Sequence, residues 1–170
     1  SGKVCYQLNS NLSSVTEIIQ QERKHAQVAV LLSGDPGFYG MLNFLQHHFS
    51  AEEMQVVPGI SAFQYLMAKI GEPWYGAALA SLHGRDFDLW PQVLKHRYTI
   101  LLTDRLHSAH YVASQLKNKI KRIEGEKALI SPDISFELVV GSRLSYPDER
   151  IVRGAPDVIL KQAEFPLATM

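Results

Sequence analysis

The sequence has one cysteine, no net charge and no apolar run long enough to cross a bilayer. A lone Cys5 excludes an internal disulfide and a cysteine-built metal cluster, and it is typical of a reducing, cytoplasmic setting. Lys plus Arg equals Asp plus Glu, 17 of each, so no overall field attracts nucleic acid or an anionic membrane. We therefore expect a cytoplasmic protein with no resident metal, no nucleic-acid partner and no membrane partner.

Alternating helix-like and strand-like patterns run through all 170 residues. Such alternation is typical of α/β domains with mostly parallel sheets. Helical spacing of apolar residues predicts helices at 12–26, 38–49, 61–71, 86–96, 108–120 and 156–162. Short apolar runs predict strands at 27–32, 54–57, 77–81, 98–104 and 134–143, with an edge strand at 146–152 and a last strand beginning in "PLATM". The hairpin-like second half predicts a mixed sheet.

The stretch 71–78, "GEPWYGAA", contains two glycines and a proline and is typical of a linker. It divides the chain into two predicted α/β domains, residues 1–75 and 76–170. We expect a ligand cleft between them.

Two glycine-containing loops each follow a predicted strand and precede a predicted helix. They are "SGDPGFYG" (33–40) and "VVPGISAF" (56–63). Open α/β sheets bind ligands at the carboxyl ends of their strands, where free helix N–H groups can receive a carboxylate or phosphate. Neither loop is a Walker A or dinucleotide motif, since G-K-[ST] and G-x-G-x-x-G are absent. Tight structural turns remain the alternative.

In order and spacing, these two loops resemble the tetrapyrrole methylase family, whose members methylate porphyrin-type macrocycles with S-adenosylmethionine. Three further stretches, "SLHGR" (81–85), "LLTD" (101–104) and "YPDERIVRG" (146–154), are similar to the branch that methylates ring carbon five of a corrin precursor in cobalamin biosynthesis. The resemblance runs from about Val28 to the end. It implies two α/β domains enclosing the cofactor, methyl transfer without a metal, and a homodimer.

The resemblance also implies site residues. Those matching the family's cofactor loops are Gly34, Asp35, Tyr39, Ser61, Ala62, Leu102 and Thr103. An anionic macrocycle needs local cations, and His83, Arg85 and Arg143 are the candidates for binding its carboxylates. The resemblance points to no catalytic base. His47 and His48 point apart on a helix, and His107 and His110 lack an evident third ligand, so no metal site is expected.

One departure from the family concerns the start of the chain. The family opens with a strand and a G-x-G-P-G loop that also touches the cofactor, and nothing like it occurs before Val28. We expect the chain to begin some tens of residues late. Two alternatives therefore remain: a tetrapyrrole methylase acting at another carbon, and a non-catalytic α/β binding domain. A decarboxylating, carbon-15 methylating enzyme is a possible functional partner.

Overall fold

The computed structural model describes residues 2–8, 11–82, 88–126 and 136–170. The chain forms two compact units, Ser1–Ile60 and Ser61–Met170, called unit 1 and unit 2. The units divide earlier in the chain than the linker at 71–78. The domains 1–75 and 76–170, which were predicted from the linker's composition, stay a prediction.

Unit 1 is helical where it is regular. It contains the helices α1 (Leu12–Glu22) and α2 (Leu42–Gln46) and a 3₁₀ turn at Ala51–Glu53. Helix α1 confirms the predicted helix, but its N-cap residue is Asn11 rather than a serine. The Ser14 hydroxyl instead donates to the Asn11 carbonyl at 2.7 Å.

The predicted strands at 27–32 and 54–57 are wrong: the described part of unit 1 contains no strand. Leu31 is 86% exposed and Val57 is 69% exposed, so neither run is buried as expected. A β-branched run suits a strand, but a strand exists only when its backbone groups pair with a neighbour. In the described residues neither run forms such a ladder.

The predicted helix 38–49 is shortened to α2. Tyr39 has φ of 53°, in the left-handed region, so a right-handed helix cannot pass through it. The loop therefore continues to Met41, where the helix is capped.

Unit 2 follows the sequence pattern closely. Its helices are α3 (Ala62–Ile70), α4 (Leu89–Lys95), α5 (Ala109–Glu126) and α6 (Pro156–Leu160). Its strands are β1 (Ala78–Ser81), β2 (Thr99–Leu102), β3 (Leu138–Ser142), β4 (Arg150–Gly154) and β5 (Ala168–Thr169). Ser61 precedes α3 and Gly71, with φ of 71°, ends it, as the sequence predicts.

The five strands form one mixed sheet in the order β1-β2-β5-β3-β4, with β4 at the predicted edge. Strand β1 is parallel to β2, and β5 is antiparallel to both β2 and β3. Strands β1, β2 and β3 therefore run in the same direction, and their carboxyl ends lie at one edge of the sheet.

The core of unit 2 lies between this sheet and its helices. Ile159 on α6, Val140 on β3 and Ala113 on α5 each have no exposed surface, and Leu101 on β2 is 2% exposed. In the described residues, no helix is both long and apolar enough to span a membrane.

Candidate functional site

The two glycine loops of unit 1 meet at their backbones. Gly34 has φ of 75°, a conformation that glycine adopts without strain. A Cβ on Gly59 would overlap the carbonyl oxygen of Gly34. The Gly59 turn (residues 58–60) therefore needs glycine at 59 to approach residues 33–40, which we call the GDP loop after its Gly34-Asp35-Pro36 sequence, and Gly34 suits the positive φ of that loop.

Asp35 links the same two segments. Its Oδ1 accepts the Gly37 N–H at 2.8 Å, and its Oδ2 accepts the Gly59 N–H at 3.2 Å. The first bond closes a local turn, whereas the second joins residues 24 positions apart. The family resemblance placed Asp35 in a cofactor loop, but the bond to Gly59 was not predicted, because sequence does not show which loop an aspartate reaches.

Tyr39 presents its ring to solvent at the end of the GDP loop. It is 51% exposed and packs edge-on to Phe38 with ring centroids 5.0 Å apart. A bulky residue with positive φ is uncommon and costs backbone energy, and such strain is found preferentially at functional loops.

Ser61 lies at the N-terminus of α3 and is 3% exposed. Its N–H donates to Gln64 Oε1 at 2.9 Å, one half of a capping box. The return contact from the Gln64 N–H is placed as in a capping box but falls outside hydrogen-bond geometry. In either case the Ser61 O–H has no acceptor within the described parts of the chain, so it can donate to a ligand. The neighbouring Ala62 is exposed.

At the carboxyl edge of the sheet, Leu102 and Thr103 offer mainly main-chain groups. The Thr103 hydroxyl donates to the Ala168 carbonyl at 2.7 Å and is buried. The Leu102 carbonyl accepts the Leu82 N–H at 2.9 Å. A ligand at this edge would therefore meet backbone rather than the threonine side chain.

The residue after Thr103 organises the next turn. Asp104 Oδ1 accepts the N–H groups of Leu106 at 2.8 Å and His107 at 2.6 Å. His107 Nδ1 lies 3.3 Å from the same carboxylate, and its ring packs edge-on to Tyr111. Asp104 was not predicted to have this role, although aspartates commonly bind the backbone N–H groups that follow them in turns.

Arg143 follows β3 and is engaged within its own turn. It forms an ion pair with Asp148, although its Nε–H is poorly aligned for a hydrogen bond. Its guanidinium also lies over the Tyr146 ring, 4.9 Å from the centroid. Arg143 lowers the pKa of Asp148 below its ordinary value. Binding a substrate carboxylate would require Arg143 to exchange this partner.

His83 and Arg85 lie outside the described residues. The strand that leads to them is described: Ser81 is in register with Leu102, and Ser142 and Leu102 both pair with β5. The described ends of β1, β2 and β3, at Ser81, Leu102 and Ser142, therefore lie at the same edge of the sheet. Within the described ranges, no three His, Cys, Asp or Glu side chains group as metal ligands.

The structure thus brings Gly34 and Asp35 together with Gly59 in unit 1. In unit 2 it places Leu102, Thr103 and Arg143 along one sheet edge. The meeting of these two groups around one cofactor remains a prediction.

Comparison with known proteins shows the family. A model of the tetrapyrrole (corrin/porphyrin) methylases matches residues 6–157. The cobalt-precorrin-7 C(5)-methyltransferase of Salmonella typhimurium is 34% identical over 129 residues, which cover 76% of this chain and 58% of that protein. This chain thus spans somewhat more than half the length of that relative.

Two solved structures show the same fold. Precorrin-6Y methylase from Archaeoglobus fulgidus has a TM-score of 0.63 and 20% identity, over 98% of this chain and 71% of its own. Uroporphyrin-III C-methyl transferase from Thermus thermophilus, complexed with S-adenyl homocysteine, has a TM-score of 0.60 and 23% identity, over 92% and 68%. The chain belongs to the tetrapyrrole (corrin/porphyrin) methylases, and its mixed α/β fold is theirs.

Proposed function

We propose that this protein is an S-adenosylmethionine-dependent methyltransferase of cobalamin biosynthesis that methylates ring carbon five of a precorrin or cobalt-precorrin. The observation that carries the proposal is the backbone contact between the GDP loop and the Gly59 turn. Both segments belong to the two loops that resemble the family's cofactor loops, and their backbones lie side by side. The relative of Salmonella typhimurium is named for this activity.

The residues present fit the cofactor. The GDP loop offers the main chain of Gly34 and Asp35 and the exposed ring of Tyr39. Ser61, with Ala62 beside it, offers a buried hydroxyl without an acceptor in the described residues. Leu102 and Thr103 would approach the adenosine with main-chain groups. S-adenosylmethionine supplies an electrophilic methyl group when bound, and the chain's task is to orient it towards the acceptor carbon.

Local cations would bind the macrocycle, because the protein has no net charge to attract it. Arg85 and His83 are the first candidates, in the segment that follows β1. Arg143 is the second, and it would have to release Asp148. Exposed ion pairs contribute only about 0–1 kcal/mol each, so several contacts must act together.

The experiment is an assay of the full natural chain with methyl-labelled S-adenosylmethionine and a panel of corrin precursors. We expect label in the macrocycle, at carbon five by NMR. We expect Arg85→Ala to raise KM for the corrinoid and leave KM for S-adenosylmethionine unchanged. Label at another carbon would support a different member of the family. No transfer to any precursor, with cofactor bound, would favour a non-catalytic binding domain.

The assembly, setting and partner of the enzyme belong to the same proposal. We infer a cytoplasmic homodimer whose functional partner is a decarboxylating, carbon-15 methylating enzyme. Sedimentation of the full chain tests the dimer, and a single monomeric species would contradict it.

A further inference from the structure

We propose that Asp35 is a positioning residue: its carboxylate holds the Gly59 turn against Gly34 and does not bind the cofactor through its charge. The inference rests on the proposed function, since it concerns how the cofactor site is shaped. The family resemblance placed Asp35 in the cofactor loop, and an acidic residue there suggests a contact with the cofactor's α-ammonium group. The geometry points to a different role.

The first observation is the position of the two carboxylate oxygens. Oδ1 accepts the Gly37 N–H at 2.8 Å and Oδ2 accepts the Gly59 N–H at 3.2 Å. Each oxygen is therefore aimed at the protein's own backbone. Hydrogen bonds from amides to a carboxylate are stronger than those to a neutral acceptor, so the pair can fix the side chain's orientation.

The second observation is the fit of the backbones that the carboxylate joins. Gly59 lies so close to the Gly34 carbonyl that a Cβ would overlap it. Packing this close leaves no room for a side chain at Gly59 between the two turns. The Gly59 N–H bond to Asp35 is a polar link between the two turns, and its loss would weaken the contact that holds them together.

The consequence for the site follows from chain connectivity. Gly59 precedes Ser61, the buried N-cap of α3, by two positions. Two residues span at most about 7 Å, so Ser61 stays near the Gly59 turn along the chain, and a shift of that turn changes its distance from Gly34 within unit 1. Asp35 then affects cofactor affinity by setting the distance between two loops that shape the part of the site shared by every adenosine ligand, rather than by contacting the amino-acid part.

Asp35→Asn tests this with little change in shape. The asparagine side chain has one acceptor oxygen, so it can accept only one of the two backbone N–H groups. Its NH₂ group would then face the other N–H, donor against donor. The test compares S-adenosylhomocysteine with 5′-methylthioadenosine, which lacks the amino-acid part, by calorimetry on the full natural chain. Positioning predicts that both ligands bind about tenfold more weakly, which is the loss of one charged hydrogen bond. A loss confined to S-adenosylhomocysteine would show direct contact with the amino acid and overturn the proposal.

Gly59→Ala breaks the same junction from the other side, because its Cβ would push against Gly34. If both changes act on one junction, the affinity of the double variant should be about that of the single variant that binds more weakly. An affinity loss equal to the product of the two single losses would contradict the proposal. Glu17→Gln is the control: it removes one exposed carboxylate of α1 and should leave both affinities unchanged.

Hydrogen exchange at the Gly59 amide of the ligand-free protein is the final readout. We expect Asp35→Asn to speed this exchange and Glu17→Gln to leave it unchanged. An unchanged Gly59 amide in Asp35→Asn would overturn the proposal. If the unaltered protein bound neither ligand, the proposed function would fail, while the exchange rate would still decide whether Asp35 holds the turn.

Discussion

Two apolar runs of the chain look alike in sequence and differ completely in structure. "QVAVLL" at 27–32 in unit 1 forms no strand, and its Leu31 is 86% exposed. "TILL" at Thr99–Leu102 in unit 2 is β2, paired on one side with β1 and on the other with β5, and its Leu101 is 2% exposed. The two runs have similar strand propensity. They differ in whether neighbouring strands satisfy their backbone groups, which is a property of the whole sheet.

The strongest test of this comparison is stability. Ile159→Ala in the core of unit 2 should lower the free energy of unfolding by about 2–5 kcal/mol, because it leaves a cavity at a site with no exposure. Leu31→Ala in unit 1 should change it by less than about 0.5 kcal/mol. Urea unfolding of the full natural chain measures the change in the free energy of unfolding for both variants. An equal cost for the two changes would mean that Leu31 is packed as tightly as the core of unit 2.

The next effect concerns the GDP loop of unit 1. Gly34→Val should weaken S-adenosylhomocysteine binding at least about tenfold, because a β-branched residue is strained at φ of 75° and the altered turn would move. Gly76→Val is the matched control, since Gly76 has φ of 72° with no atom near its missing Cβ. It should lower stability similarly and leave affinity unchanged. Unaltered affinity in Gly34→Val would remove the GDP loop from the site.

The smallest effect is the pH response of the β3–β4 turn in unit 2. Arg143 lowers the pKa of Asp148, so the pair stabilises the fold above the ordinary aspartate pKa of 3.8 and the benefit is lost as pH falls through the lower folded value. Asp148→Asn should therefore flatten the acid end of the stability curve and have a small effect at pH 7, since the pair is exposed. Thermal melts between pH 2 and 7 measure it, with Glu17→Gln as control. If the melting temperatures of Asp148→Asn and the unaltered protein fell in parallel with pH, the stabilising pair of Arg143 and Asp148 would be contradicted.

Much of unit 2 could be predicted because its signals are local. Ser61 and Gly71 mark the ends of α3, and the proline at 156 starts α6. The mixed sheet and the edge position of β4 followed from the hairpin pattern. The central position of β5 could not be predicted, because strand order depends on contacts between residues far apart in sequence.

Unit 1 shows where sequence reasoning fails. Its strand-like runs indicated a parallel sheet, but pairing is decided by neighbours rather than by the run itself. The motifs at Gly34 and Ser61 identified the candidate site, since glycine and a helix cap have local physical requirements. The bond from Asp35 to Gly59 joins residues 24 positions apart, and no local pattern encodes it.

If the GDP loop and the Gly59 turn form part of a cofactor site, the cofactor product should stabilise the protein, and thermal unfolding of the full natural chain tests this most directly. S-adenosylhomocysteine at about 100 times its dissociation constant should raise the free energy of unfolding by roughly 2.7 kcal/mol, and Gly34→Val, with affinity at least tenfold weaker, should cut that gain to about 1.4 kcal/mol or less at the same ligand concentration. Adenosine triphosphate, which also carries an adenosine, serves as the control and should give no comparable shift. An unchanged melting temperature with saturating S-adenosylhomocysteine would contradict the account.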